Sequence, residues 1–383
     1  MLRMIVPMLA LAAAALGAPP ALAQPALAQP ALAPPQEARS APASEGEDRF
    51  DTFDPKAERR EHRIDYSVWT EALRAFVIDM GPPLRKMPFA GAGTLGTNIR
   101  VGHNSIYRLD GAMVGFSLMD VEVMVNIGQY RRDLEKVADE LDIQSLPRNE
   151  QLAYWLNLHN VAMIEQVGAN WPERQPREIE LDGVPLDEAR FITVEGVALS
   201  PRDIRERIVF ANWKSPEVFY GFWRGEIGGP AMQRTAFDGR TVGQQLADAA
   251  GEFVNSRRGT EKRGRTLHVS EYYAEIARYF FPDFEPDLRA HLAEYVEGEV
   301  ADMLARSERI EPSLYEHDIA DLAGGRRNGA FFAKGRLDPG AAALLEQRAQ
   351  KLRYVRRKMP PEGRIFFSNI DLPGDPDNKS EVE

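Results

Sequence analysis

The stretch that most restricts how this chain can fold is Asn149 to Asn160 and its continuation to Ile164. From Leu152 onward, apolar side chains fall on nearly every side of the helix that the spacing predicts. A helix that is apolar all round belongs in an interior. Asn157 and Asn160 nevertheless stand three residues apart on one face in its middle, where neighbouring turns bring them together. Buried amides need hydrogen-bond partners, so this face meets either a structural network or the lining of a site. His159 lies beside that face, either as a core histidine or as a proton carrier.

Around this helix the chain divides into four parts. Arg3, the apolar run Met4 to Gly17 and the small residues at Ala21 and Ala23 read as a cleaved secretory leader, 1–23. The expected location is periplasmic or secreted, with cleavage near Ala23. Residues 24–62 repeat Ala-Leu-Ala-Gln-Pro and then turn polar, the composition of a disordered linker. Residues 63–324 form the expected folded domain. Residues 325–383 form a basic extension with one helix and a polar tail.

Within 63–324, helical spacing runs over Val68–Met80, Asp120–Glu140, Arg148–Val167, Pro201–Val209, Val242–Ser256, Glu271–Phe280 and Pro286–Ala305. Short β-like runs occupy Ser105–Leu109, Met113–Leu118, Phe191–Val194 and Ile310–Tyr315. Helices dominate and strands are few. The fold class is therefore α+β, a mostly helical single domain with a small antiparallel sheet.

Composition removes several functions. The chain has no cysteine, which excludes thiol catalysis, thiolate metal ligation, lipid attachment through sulfur and disulfides. Net charge is −11, and −12 once a leader carrying the single charge Arg3 is removed. An acidic body argues against nucleic acid, whose phosphates demand Lys and Arg. None of the six histidines has another three to five residues away, so no metal is expected. No nucleotide-binding glycine loop is convincing, Gly91 to Gly96 included, and no cofactor is expected. Ser200, before Pro201 and three residues ahead of Asp203, has the pattern of a helix cap rather than of a nucleophile.

The segment Ala153-Tyr154-Trp155-Leu156-Asn157-Leu158-His159-Asn160 resembles the Ala-Phe-Trp-Ile-Asn-Leu-Tyr-Asn signature of the domain-of-unknown-function 547 family. Leu199-Ser200-Pro201-Arg202-Asp203-Ile204 is similar to its Leu-Ser-x-x-Asp-Ile element. Tyr315-Glu316-His317-Asp318-Ile319 is similar to its closing Tyr-Asp-Trp motif. The resemblance spans about Ile64 to Leu322 and implies the family's fold, with a distant likeness to papain-like folds. It also implies a divergence. Across Ser215 to Pro230, Phe219 stands where the family has His, and Arg224 and Gly229 stand where it has Cys.

On its own chemistry this loop offers Arg224 to grip an anion and Glu226 as a general base, or the two as an internal pair. Candidate catalytic groups are thus Glu226 and His159; candidate binding groups are Asn157, Asn160, Arg224, Trp223 and Trp155. Three functional expectations stay open. One is a non-thiol module binding or scaffolding an envelope ligand or protein. Another is an envelope hydrolase or transferase with a site rebuilt from Glu226, Arg224, Asn157 and Asn160. The third is a peripheral membrane protein whose C-terminal helix, from Asp338 to about Lys358, meets anionic lipid through Arg353, Arg356, Arg357 and Lys358. Residues 326–364, at +8, allow the last, but the apolar residues Leu344, Leu345, Leu352 and Val355 are too few for a strong membrane face, which favours a solvated helix with its cations at the C-terminal end.

Overall fold

The computed structural model describes residues 48–56, 62–85, 102–325 and 337–358. The expected leader, most of the linker, the glycine loop at 91–96, the basic stretch 326–336 and the tail beyond Lys358 lie outside the described residues. The class is mostly helical α+β, as the spacing predicts.

The helix α3 (Arg148–Ala169) is the axis of the core, and every side chain from Glu150 to Ile164 is buried. α2 (Val121–Glu140), capped by the Asp120 carboxylate on the Val123 N–H, packs along it. Gly128 permits the close approach of the two helices, since a Cβ there would meet the Glu165 carboxylate at 2.6 Å. On another side lies α5 (Val242–Asn255), whose Leu246, Ala250 and Phe253 are buried.

The strands are short and peripheral. β1 (Val77–Asp79) pairs with β2 (Ala112–Val114), β3 (Glu180–Leu181) with β4 (Val184–Pro185), and β5 (Ile192–Val194) with β6 (Val197–Leu199), all antiparallel. The remaining described sheet is mixed: β7 (Thr260–Arg263) and β8 (Thr266–Ser270) form a hairpin, and β9 (Arg309–Leu314) joins β8 in parallel.

Several expected elements differ. The first helix, α1 (Ser67–Phe76), stops before the β-branched Val77 and Ile78, which pair with β2 instead. Ser105–Leu109 is a turn rather than a strand, with the Ser105 hydroxyl accepting the Tyr107 N–H and Asp110 N–H donating to the Tyr107 carbonyl. After Val114 the run to Leu118 tightens into a 3-10 turn. The span Pro286–Ala305 is two helices, α7 (Phe284–Tyr295) and α8 (Gly298–Ala305), parted where Glu297 is extended and Gly298 adopts φ +47°. Asp48–Phe53, inside the expected linker, is a 3-10 turn; Phe50 and Phe53 enter the core, Phe53 edge-on to Trp155.

The segment between α6 (Tyr272–Phe280) and α7 completes a second small layer around Phe281. The last helix, α9 (Pro339–Lys358), lies on the body. Ala341 and Leu344 are buried, and Leu352 packs on Gly81. Lys351 is wholly buried, its ammonium donating to the carbonyls of Gly81 (3.2 Å) and Leu109 (2.5 Å). The apolar face of α9 is thus used against protein, while Arg353, Arg356, Arg357 and Lys358 are exposed.

Replacing Lys351 with Met should leave two carbonyls without their donor and cost about 1–3 kcal/mol. Denaturant unfolding measures that loss, and limited proteolysis should then cut within 337–358 before the rest of the body.

Candidate functional site

The two amides of α3 are both matched to main chain. Asn157 Nδ2 donates to the Phe237 carbonyl (2.8 Å) and its Oδ1 accepts the Phe237 N–H (3.0 Å), as a neighbouring strand would. Asn160 Nδ2 donates to the Gly221 carbonyl (2.9 Å), and its Oδ1 accepts the Trp223 N–H (3.0 Å). Neither amide is left to meet a ligand. They fasten to α3 the aromatic run Phe219–Trp223 itself, through Gly221 and Trp223, and the later loop at Phe237.

Trp155 and Trp223, expected as binding walls, are also interior: Trp155 meets Phe53 and Tyr154 edge-on, and Trp223 packs against Phe116. Their bulk fills the core on either side of the clamp.

His159 has no exposure. Nδ1 donates to Asn160 Oδ1 (3.1 Å), and Nε2 accepts from Arg205 Nη1 (3.1 Å). Burial, reinforced by the Arg205 cation, holds its pKa down at about 3. With both nitrogens engaged and no route to solvent, it is a neutral structural base. The catalytic role expected of it does not follow from this geometry.

Arg205 sits on a π-helical turn, Asp203–Val209, that runs into α4 (Phe210–Asn212). Ser200 starts this helix as the capping pattern predicts. Its hydroxyl accepts the Asp203 N–H (3.0 Å) and Asp203 Oδ2 accepts the Ser200 N–H (3.1 Å). The wider turn carries Arg205 inward, where Nη2 donates to Asp187 Oδ2 (2.7 Å). Arg202 Nε reaches the same oxygen (3.2 Å), and Arg224 approaches it at 3.9 Å. Burial alone would raise the Asp187 pKa, but the guanidiniums of Arg205, Arg224 and Arg202 hold it well below the carboxylate range.

The loop of Arg224 and Glu226 is shaped by Gly225, at φ +86° and tight against Pro176. The expected Arg224–Glu226 pair does not form. Arg224 Nη1 bonds Glu275 (2.6 Å) and its guanidinium lies 4.7 Å over the Tyr272 ring. Glu226 is instead gripped by Arg177, Nε to Oε1 at 2.7 Å and Nη2 to Oε2 at 2.8 Å. Tyr272 also donates to Oε2 (2.5 Å), and His317 Nδ1 lies 3.5 Å from it. Burial would raise the Glu226 pKa; Arg177, His317 and Tyr272 outweigh it and set the carboxyl at about 2. A carboxylate so held is a poor proton acceptor near neutral pH, which argues against the general-base role expected of it.

Arg177, Arg202 and Arg224 line one cleft of about 200 Å³ together with Asp187, Glu188, Glu226 and Glu275. Of the residues nominated from sequence, only Arg224 and Glu226 line it. Arg177 and Asp187 come from turns with no motif around them, and Arg202 and Arg205 were masked by the capping pattern. One signal was available: a Ser-Pro-Arg-Asp cap followed by a second arginine three residues on places both cations at one helix start.

The rear of the cleft is held by the closing motif. Glu226 bridges Ile319, with Ala320 N–H donating to Gly225 O (2.7 Å) and Ile227 N–H to Asp318 O (2.9 Å). The same segment continues to β2, where Val114 and Asp321 bridge.

Asn157→Leu should remove both partners of the Phe237 main chain and cost about 2–5 kcal/mol, seen as a lower midpoint in denaturant unfolding. His159 adds a pH dependence of definite sign. Its native pKa lies below the unfolded 6.5, so the unfolded state binds the extra proton and native stability falls as pH drops from 6.5 towards 3. Asp321, which burial pushes up to about 6, acts in the opposite sense in the upper part of that range. The His159 part is isolated by difference. Between pH 6 and 5, His159→Gln should gain on wild type by about 1 kcal/mol per pH unit in denaturant melts.

No curated protein and no solved structure matches the chain. Residues 143–254 do match a family model, from the turn before α3 to the end of α5. This match takes in the clamp helix, the capped π-helical turn and the loop of Arg224 and Glu226, but not the closing motif at 315–319. Over that span the chain is similar to the family described as "Protein of unknown function, DUF547", without any of the cysteines that its motifs lead one to expect.

Proposed function

We propose that the protein is an exported, non-thiol binding module of the cell envelope whose ligand is a small molecule bearing a carboxylate or phosphate. Export rests on the leader pattern of 1–23. The binding reading rests on one observation: three guanidiniums line one cleft, each fixed by a carboxylate that lines it too.

Arg177 is held by Glu226, Arg202 by Asp187 and Glu188, and Arg224 by Glu275. These bonds leave Nη1 of Arg177, Nη2 of Arg202 and Nε of Arg224 as donors with no hydrogen bond among the described residues. Guanidiniums fixed in advance lose little freedom on gripping an anion, which raises affinity. The cleft suits a ligand smaller than a typical drug-sized molecule. Its lining contains no Ser, Thr, His or Lys, and the Asp187 and Glu226 carboxylates are both stabilised as anions. Such a lining favours holding a ligand over attacking it.

Calorimetric titration with inorganic phosphate and with succinate tests this. Wild type should bind at least one of them saturably, with affinity falling as salt rises. Arg202→Ala, at the exposed edge, should weaken binding about tenfold, equivalent to roughly 1.4 kcal/mol, without moving the melting temperature appreciably. Absence of saturable binding to either anion would remove the basis of this reading.

A further inference from the structure

A second groove, of about 460 Å³, opens at the other end of α3. Its walls are the segment 63–66, the exposed edge of α1, the first turn of α3 and the loop 236–240. Glu150 in the groove and Met163 in the arginine cleft are thirteen positions apart on α3. That places the two sites roughly 20 Å apart along the helix at 1.5 Å per residue.

Glu150 is the unusual group here. The residue is 4% exposed, yet among the described residues its carboxylate receives a single hydrogen bond, from the Ile64 N–H to Oε1 (3.0 Å). Among the described residues no Lys, Arg or His forms an ion pair with it. Arg240, the nearest basic residue of the loop, spends its main-chain N–H, Nε and Nη2 on Asp238. A buried carboxylate with one donor is poorly compensated. Gly239 lies against Oε2 so closely that a Cβ there would stand 2.2 Å away, so the loop is cut to fit this carboxyl. Burial raises the Glu150 pKa, outweighing the Ile64 N–H and the charges of Arg63 and Arg240, and the charge of Asp238 adds to the rise.

Tyr66 supplies an independent sign. It lines the same groove, is 5% exposed, and its hydroxyl, beside the Asn157 amide, meets no partner in good hydrogen-bond geometry among the described residues. At the rim, the exposed Arg63 and Arg74 side chains make no hydrogen bond within the described protein.

We propose that this groove binds a primary amine that also carries a carboxylate, such as an amino acid or the N-terminus of a short peptide, with the ammonium seated on Glu150. An ammonium brings three donors and no acceptor. The acceptors left open are the Glu150 carboxylate and the Tyr66 hydroxyl oxygen, while the rim guanidiniums suit the ligand's carboxylate. No set of three or more His, Cys, Asp or Glu side chains able to hold a metal occurs among the described residues, so an organic cation fits better than a bare one. The groove volume lies in the range of small-molecule sites.

The proposal stands apart from the arginine cleft, and the test separates them. Triglycine and N-acetyltriglycine share a carboxylate and differ in the amine. Calorimetry on the full chain should show saturable triglycine binding and at least tenfold weaker binding of the acetylated peptide. Glu150→Gln keeps an acceptor for the Ile64 N–H and removes the charge; it should lose triglycine binding at least tenfold. Tyr66→Phe, which removes only the hydroxyl, should weaken triglycine binding several-fold and serves as the test if Glu150→Gln fails to fold. Equal binding of the two peptides would assign the affinity to the arginine cleft and overturn the proposal. No triglycine binding, or binding unchanged in these variants, would overturn it as well.

Discussion

The architecture depends on amide groups that cannot be left unmatched inside a dry core. Asn157 and Asn160 stand where α3 is otherwise apolar, and each pairs with both polar groups of a passing main chain or its equivalent. An asparagine side chain has the donor and acceptor of a peptide unit, so it substitutes for a strand where no strand exists. This explains how a mostly helical core holds long irregular segments such as 213–241 in place. Their buried N–H and C=O groups are answered from a helix rather than from a sheet.

From that clamp the cleft follows by a chain of contacts. Asn160 fixes Trp223, which fixes the start of the loop of Arg224 and Glu226. The far side of the loop is zipped to 316–320, and that segment continues to β2. Asp321 secures the junction: its carboxylate accepts N–H groups of Phe116, Ala323 and Gly325 and the Trp171 indole N–H. The amide face of α3, the Ser200 cap and the segment 315–319 are thus far apart in sequence but mechanically continuous.

Legibility in the sequence follows from the range of the forces involved. α2, α3 and α5 are long and periodic, and local spacing suffices to place them to within about two residues. The Ser200 cap is equally local, a pattern four residues wide. The β7–β8 hairpin escaped because Glu261, Lys262 and Arg263 hide its alternation and the partner β9 is some forty residues downstream. Asn157 and Asn160 were legible as buried amides, but not their partners, because Phe237 and Gly221 lie 80 and 61 residues away. Arg224 and Glu226 look like a pair at two residues' separation; at φ +86° Gly225 turns them to different partners, Glu275 and Arg177.

The charge arrangement separates two kinds of ionic group in this molecule. Asp187, half-buried, and Glu226, buried, are carboxylates held by guanidiniums, and the gain from those partners exceeds the cost of burial, so both stay ionised. Glu150 and Asp321 are buried carboxylates answered chiefly by main-chain N–H groups, and burial prevails, so both are raised. In Asp321 four donors make the neutralisation internal, and the group works as a staple. Glu150 has one donor among the described residues, the Tyr66 hydroxyl in the same lining and an open groove. Two carboxylates shifted in the same direction by the same cause therefore have different roles, and what distinguishes them is how many of their hydrogen bonds the fold itself supplies.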